Sequence, residues 1–251
     1  MRGLARAGYV ASGVLHLLVG ALAVRLATGD SGGTADQAGA FRQLAQAPGG
    51  AALLWAVAVG LAALALWQLT EVVVGVPGAD AGDRLRARGK AAAKAVLYAV
   101  LAFTAARYAQ GSGGGEQQES LTSGLMASVA GRWLIGLVGA VVVGVGVFHV
   151  VKGAKKRFLR DLRSTGGGEV GAAVERLGQA GYVAKGVALA VTGGLVVAAA
   201  LTADAGRAGG LDQGLRTIGQ QPAGTALLVV TGLGIAAYGL YSFARARYAR
   251  L

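Results

Sequence analysis

The chain alternates between long apolar runs and polar stretches, and it does so six times. Gly8–Ala27, Ala51–Val76, Ala91–Ala109, Trp133–Val151, Tyr182–Ala203 and Ala223–Ala244 are the apolar runs. Each is close to the ~20 residues that an α-helix needs to cross a bilayer core. The polar stretches between them alternate in kind, a basic one following a Gly-rich one. The order basic stretch, apolar run, Gly-rich loop, apolar run therefore returns three times, over residues 2–76, 84–158 and 176–248. A period of this size is the mark of a repeat architecture.

The copies also agree residue by residue. Gly8-Tyr9-Val10-Ala11-Ser12-Gly13-Val14 reappears as Gly181-Tyr182-Val183-Ala184-Lys185-Gly186-Val187, and Ala47-Pro48-Gly49-Gly50 reappears as Gln221-Pro222-Ala223-Gly224. The middle copy is more diverged, with Lys90-Ala91-Ala92-Ala93-Lys94-Ala95-Val96 in the first position. Each repeat holds an even number of runs, so all three enter the membrane from one face and are parallel repeats about an axis along its normal. The pattern predicts an all-α, polytopic membrane protein. Its six transmembrane helices form three parallel helical hairpins in a pseudo-threefold bundle.

Composition sharpens this reading. Mean hydropathy is +0.55 and charged residues make up 14% of the chain, against roughly 25% in globular proteins. Of the 44 glycines, 16 lie within the apolar runs, where small residues let membrane helices approach closely. Gly13 and Gly20 are seven residues apart, Gly186 and Gly193 repeat the spacing, and Ala95 and Ala102 hold it in the middle copy. Nearly two helical turns put each pair on one face, a helix-packing surface. Gly136, Ala140 and Gly144 offer a similar small face on the fourth run. In the Gly-rich loops, Phe41 with Leu44, then Leu121, Leu125 and Val129, then Leu211, Leu215 and Ile218 have the spacing of short amphipathic helices at the interface. Pro77–Asp83 and Leu159–Glu175 are the linkers between repeats.

A net charge of +12 suggests nucleic acid until the charges are placed on this topology. Eighteen of the 24 Lys and Arg fall on the face of the N-terminus and six on the other, while the acidic residues divide evenly. The positive-inside rule makes the basic face cytoplasmic, with both termini there. The charge is thus topological, and no nucleic-acid partner is expected. The first run could pass for a signal peptide, but its counterpart from Tyr182 lies deep inside the chain, so it reads as a retained helix. The chain has no cysteine, which excludes thiolate metal sites and cysteine nucleophiles.

Two quoted segments carry a family resemblance. Gly3-Leu4-Ala5-Arg6-Ala7-Gly8-Tyr9-Val10-Ala11-Ser12-Gly13-Val14 and Gly232-Leu233-Gly234-Ile235-Ala236-Ala237-Tyr238-Gly239-Leu240-Tyr241 resemble the repeat signature of the domain-of-unknown-function 1206 family. Its members are bacterial membrane proteins of three two-helix units. The resemblance covers nearly the whole chain and implies six spans and a cell-membrane location. It implies no activity and transfers no functional residue. The middle repeat departs, with Lys90 and Ala91 where Gly8 and Tyr9 stand.

Ionisable groups within membrane segments are costly, so each is a candidate site. His16 is the deepest, roughly 12 Å into the first run; its repeat equivalents are Tyr98 and Leu189. His149 lies near the end of the fourth run, equivalent to Gln68 and Ser242. The difference in depth argues against a bis-histidine haem, and no cofactor or metal is expected. Glu71, Lys152 and Arg245 are equivalent at the cytoplasmic ends of the even runs, and Lys94 and Lys185 match near the starts of the third and fifth. These groups read either as a charged ring at an inner mouth, or as cations reaching lipid headgroups while Glu71 pairs with Lys94 or Lys185. Arg25 and Arg107 are equivalent near the external ends. No paired carboxylates, His-rich metal spacing or phosphate-cradling loop is present, so the chain is not expected to be an enzyme. Two readings follow. One is a non-enzymatic module of the bacterial plasma membrane that binds lipid, a protein partner or a second copy of itself. The alternative is a small channel or transporter with a path along the pseudo-threefold axis or between repeats.

Overall fold

The computed structural model describes residues 2–29, 34–74, 81–111, 123–204 and 210–249. Among the described residues the main helices are α1 (Arg2–Ala27), α2 (Gln37–Gln46), α3 (Gly50–Val74), α4 (Ala81–Ala109), α5 (Val129–Ala154), α6 (Gly168–Thr202), α7 (Leu211–Gly219) and α8 (Gly224–Tyr248), with a 3-10 turn at Arg157–Asp161. Among the described residues the only extended pairing is an isolated antiparallel bridge between Leu162 and Ala249. Five helical segments are long and apolar enough to cross a membrane: α3, Ala87–Ala109 of α4, α5, α6 and α8. In α1 the corresponding apolar stretch, Ser12–Ala27, is shorter. The chain is thus an all-helical protein with five membrane-crossing candidates, where the apolar pattern predicts six.

The helices fall into two compact units, Phe41–Glu116 and the remainder. In the smaller unit α3 and α4 form a hairpin. Leu54, Ala58 and Ala65 of α3 and Ala91, Ala95, Ala102 and Ala105 of α4 are buried. Steps of three, four and seven residues keep these positions on one face of each helix, and alanine there allows close approach. Phe41, at the middle of α2, is buried and its ring lies 6.2 Å from that of Tyr108.

In the larger unit α6 packs on both α5 and α8, and α8 also packs on α1. Glycines make the closest contacts. A Cβ added to Gly20 would lie 2.6 Å from the carbonyl oxygen of Gly232, and one on Gly13 would lie 3.0 Å from that of Gly239. On the other pair, a Cβ on Gly186 would lie 2.6 Å from the oxygen of Gly146, and one on Gly193 would lie 2.6 Å from the amide of Val143. In both pairs residue numbers rise on one helix as they fall on the other, so the helices run antiparallel. Gly232 and Gly239, like Gly139 and Gly146, are themselves seven residues apart. The spacing on one helix therefore matches that on its partner. The contact face of α5 runs through Gly139, Gly146 and Gly153. It is not the face of Gly136, Ala140 and Gly144 expected from sequence: Ala140 and Gly144 are exposed. The close pairs also join different repeats, α1 of the first with α8 of the third, and α5 of the second with α6 of the third.

Helix α6 starts at Gly168, so most of the segment expected as a linker is structured. Its first turns carry Val174 and Gly178 inward, against Phe158 and Leu162 of the preceding turn. Of the interfacial helices expected in the Gly-rich loops, α2 and α7 are formed. Of the middle one, residues 123–126 are helical among the described residues, and Leu121 lies outside them. Ser128 caps α5, its Oγ accepting from the Gly131 amide at 3.0 Å, which satisfies one of the free N–H groups of a helix start. Helix α7 buries Leu215 and Ile218 against Leu22, Ala188 and Leu228.

Candidate functional site

The residue types that carry chemistry gather at one end of the larger unit. Helix α8 presents Tyr238, Tyr241 and Arg245 at steps of three and four, which places them on one face. Helix α6 presents Tyr182 and, one turn on, Lys185. The 3-10 turn contributes Phe158. The Phe158 and Tyr182 rings stack at 5.4 Å and 16°. Tyr182 meets Tyr238 at 5.1 Å and 86°, and Phe158 meets Tyr241 at 5.2 Å and 80°. Such edge-to-face contacts put the positive ring edge on the negative ring face. Gly153, Gly178 and Gly181 make the room: a Cβ on Gly181 would lie 2.5 Å from the Tyr238 Cα, and one on Gly153 would lie 2.9 Å from the Tyr182 Cβ. The Tyr241 hydroxyl donates to the Phe158 carbonyl at 3.4 Å, and the Arg163 amide donates to the Tyr248 carbonyl at 2.8 Å.

Three cations sit on this aromatic cluster. The Lys152 ammonium pairs with Asp161 at 2.7 Å and lies 5.2 Å from the Tyr182 ring centre. The Lys185 ammonium lies 4.3 Å from the Tyr238 ring centre and 2.9 Å from His16 Nε2. The Arg245 guanidinium lies 4.3 Å over the Tyr9 ring and donates from Nη2 to the Tyr9 hydroxyl at 3.1 Å. Its Nε is buried and has no hydrogen-bond partner among the described residues. Ring quadrupoles attract cations by about 0.5–2 kcal/mol, more as water is excluded.

The contacts of His16 fix its tautomer. Nδ1 lies 2.7 Å from the Ser12 carbonyl oxygen, which can only accept, so Nδ1 carries the hydrogen. Nε2 then holds a lone pair and accepts from Lys185. His149 Nδ1 donates to the Val145 carbonyl at 2.8 Å, and its ring stacks on Tyr182 at 5.6 Å. No three His, Asp or Glu side chains converge as a metal site among the described residues.

The structure thus brings His16, His149, Lys152, Lys185 and Arg245 to one cluster. Glu71, Lys94 and Arg107 belong to the smaller unit. There the pair Glu71–Lys94 is not formed, since Glu71 accepts from Trp67 Nε1 at 3.2 Å and Lys94 is exposed. An indole one turn back on the same helix lies closer than a cation on the next. Arg107 is half-buried, with Nε unpartnered. Arg25 is exposed near the far end of α1. Sequence reasoning passed over Tyr9, Phe158, Asp161, Tyr182 and Tyr238. The available signal was the spacing Tyr238, Tyr241, Arg245, which repeats the helix period beside a cation.

A second polar group lies in the Gly-rich loops of the first and third repeats. Asp212 accepts from the Ala35 amide at 2.7 Å and from Arg216 Nε at 2.7 Å, tying the segment before α2 to α7. Asp36 accepts from the Gly39 amide at 2.8 Å at the start of α2. Burial, with the Asp212 charge adding to it, pushes the Asp36 carboxyl above the usual carboxylate range.

The chain resembles known sequences along most of its length. It is 29% identical over 246 residues to an uncharacterized protein, YxxB, of Bacillus subtilis (strain 168), an alignment that covers 97% of this chain and 89% of that relative. No solved structure matches it. The family model named Domain of Unknown Function (DUF1206) matches residues 7–75, 89–156 and 180–249. These matches follow the repeats, and the chain belongs to the DUF1206 family, carrying its unit three times.

Proposed function

We propose that the protein is a non-enzymatic module of the bacterial plasma membrane that holds acidic lipid at its cytoplasmic face. In this reading α1 is a sixth span, both termini are cytoplasmic, and three helix pairs of like construction surround a pseudo-threefold axis. The observation that carries the function is the cluster of Lys152, Lys185 and Arg245 on aromatic faces at the basic end of the spans. Cations at that level meet headgroup phosphates. Lipid contact is supported by α5, where Trp133, Leu137, Val141 and Val145, at helical spacing, are exposed. A conduit draws less support. In the larger unit the buried hydroxyls of Thr192, Thr231 and Ser242 each donate to a carbonyl of their own helix, at 2.8 Å. Hydroxyls satisfied in this way have spent their single hydrogen and offer no donor to a passing anion.

Protein extracted from membranes and analysed by native mass spectrometry should carry acidic phospholipid. An impermeant thiol reagent applied to intact cells should label Asp204→Cys and spare Ser164→Cys. Lipid-free protein that supports solute flux in vesicles would replace this reading with the transporter one.

A further inference from the structure

Within the cation cluster, positive charge exceeds negative. Asp161 is its one carboxylate and is paired with Lys152. Lys185 and Arg245 have no carboxylate partner among the described residues. Their present partners are an imidazole nitrogen, a phenol and ring faces. A guanidinium has five N–H donors in a planar fork. In Arg245 one of them reaches Tyr9, while the buried Nε has no acceptor among the described residues. Lys185 spends one donor on His16 and faces Tyr238. Lys185 lies over the Tyr238 ring, and Arg245 stands seven residues beyond Tyr238 on the same helix, nearly two turns, so both cations lie on one side of α8. What both cations lack among the described residues is a negatively charged acceptor.

We propose that Lys185 and Arg245 together seat a phosphate group, from an acidic phospholipid headgroup or from a soluble phosphate. This rests on the lipid-holding reading and names its site and chemistry. Phosphate fits the donor set because its oxygens accept the Arg fork in a bidentate manner and leave another for lysine. The position fits as well. Arg245 lies in the last turn of α8, whose end at Tyr248 faces the linker side, and basic side chains at helix ends reach headgroup phosphates. Tyr9 and Tyr238 line the seat and hold the cations in place when it is filled.

The test uses the full-length protein in detergent, titrated with dioleoyl-phosphatidylglycerol, with dioleoylglycerol (the same chains without phosphate) and with inorganic phosphate. Retention is read by native mass spectrometry and stability by thermal unfolding. The wild type should bind phosphatidylglycerol at least about tenfold more tightly than dioleoylglycerol, as charge-assisted hydrogen bonds require. Arg245→Gln and Lys185→Gln should each lose about tenfold in that affinity. Lys155→Gln, an exposed cation near the same end, should keep it. Arg245→Lys, which retains the charge and gives up the fork, should fall between, and it serves if Arg245→Gln does not fold. Inorganic phosphate that stabilises the wild type and displaces the lipid assigns the soluble source, whereas lipid-only stabilisation assigns the headgroup. Variants that bind phosphatidylglycerol as the wild type does overturn this site and leave the lipid-holding reading standing. A wild type that prefers neither phosphate source to dioleoylglycerol overturns both.

Discussion

Substituting Gly186 by alanine is the smallest change that tests how the α5–α6 pair is held. The added Cβ would lie 2.6 Å from both the Gly146 oxygen and the Val150 amide, and 2.7 Å from Val150 Cγ2, whereas ordinary contact begins at 3.4 Å. Two of these three atoms are backbone, so no rotamer change relieves the clash. The helices must part by most of about 1 Å, and a gap of ~0.5–1 Å forfeits a quarter to a half of the dispersion attraction of each contact it opens. Overpacking of this kind costs about 1–3 kcal/mol. For a chain of this size that is roughly 2–10 °C of melting temperature. The control is Gly194→Ala, eight residues on, where a Cβ meets nothing within 4 Å. There the better helix propensity of alanine should leave stability unchanged or raise it by up to ~1 kcal/mol. Thermal unfolding of both variants in one detergent gives the comparison. Equal melting temperatures for the two variants would refute the backbone-contact account. A loss at Gly186→Ala that Val150→Ala fully reverses would refute the role given to the Gly146 oxygen.

Ala223, before α8, has φ 59°, and its repeat equivalent Gly49 has φ 73°. A left-handed alanine costs about 1–2 kcal/mol, and glycine returns part of that as unfolded-state entropy. Ala223→Gly should therefore stabilise by about 0.5–1 kcal/mol, and a loss of stability in thermal unfolding would count against strain at this turn. The Asp36 carboxyl is raised above its ordinary value of 3.8, chiefly by burial. Below 3.8 both folded and unfolded states are protonated, and above the raised value both are ionised, so this group's contribution to stability falls as pH rises between the two. Asp36→Asn should remove that fall. Difference profiles that stay flat against the wild type through this window would show that burial of the charge has no energetic consequence.

The apolar pattern read α3 and α8 to within a few residues because each is a nearly unbroken apolar run between Gly-rich boundaries. It misread the start of α6, since Glu169, Glu175 and Arg176 break the run while Val174 and Gly178 still face inward. That inward face is recognisable only once Phe158 is seen to need a surface. The seven-residue glycine spacing on α1 was visible, and so in principle was the same spacing in Gly232 and Gly239. What one sequence does not reveal is which helix meets which, because three copies of the same small-residue face are mutually compatible. The site was legible in its parts and not in its partners. Repeat equivalence groups Glu71, Lys152 and Arg245, yet they meet Trp67, Asp161 and Tyr9 respectively. Of these partners Asp161 lies in a linker outside the repeats, while Tyr9 belongs to a segment the first and third repeats share, and repeat equivalence does not reveal that it meets Arg245.

The pairing of α1 with α8 has a consequence for biogenesis. During synthesis α3 meets α4, and α5 meets α6, within a few seconds, because each pair is consecutive along the chain. Gly13 and Gly20 emerge first, but the surface they fit, Gly239 and Gly232, is made last. At ~5–20 residues per second the first helix waits roughly 10–45 s for its mate. Throughout that interval a narrow glycine face on α1 stands open to other helices. Completion of α8 is thus the moment at which the larger unit can close. A permuted chain in which α1 follows α8 would turn this delayed closure into a third prompt hairpin.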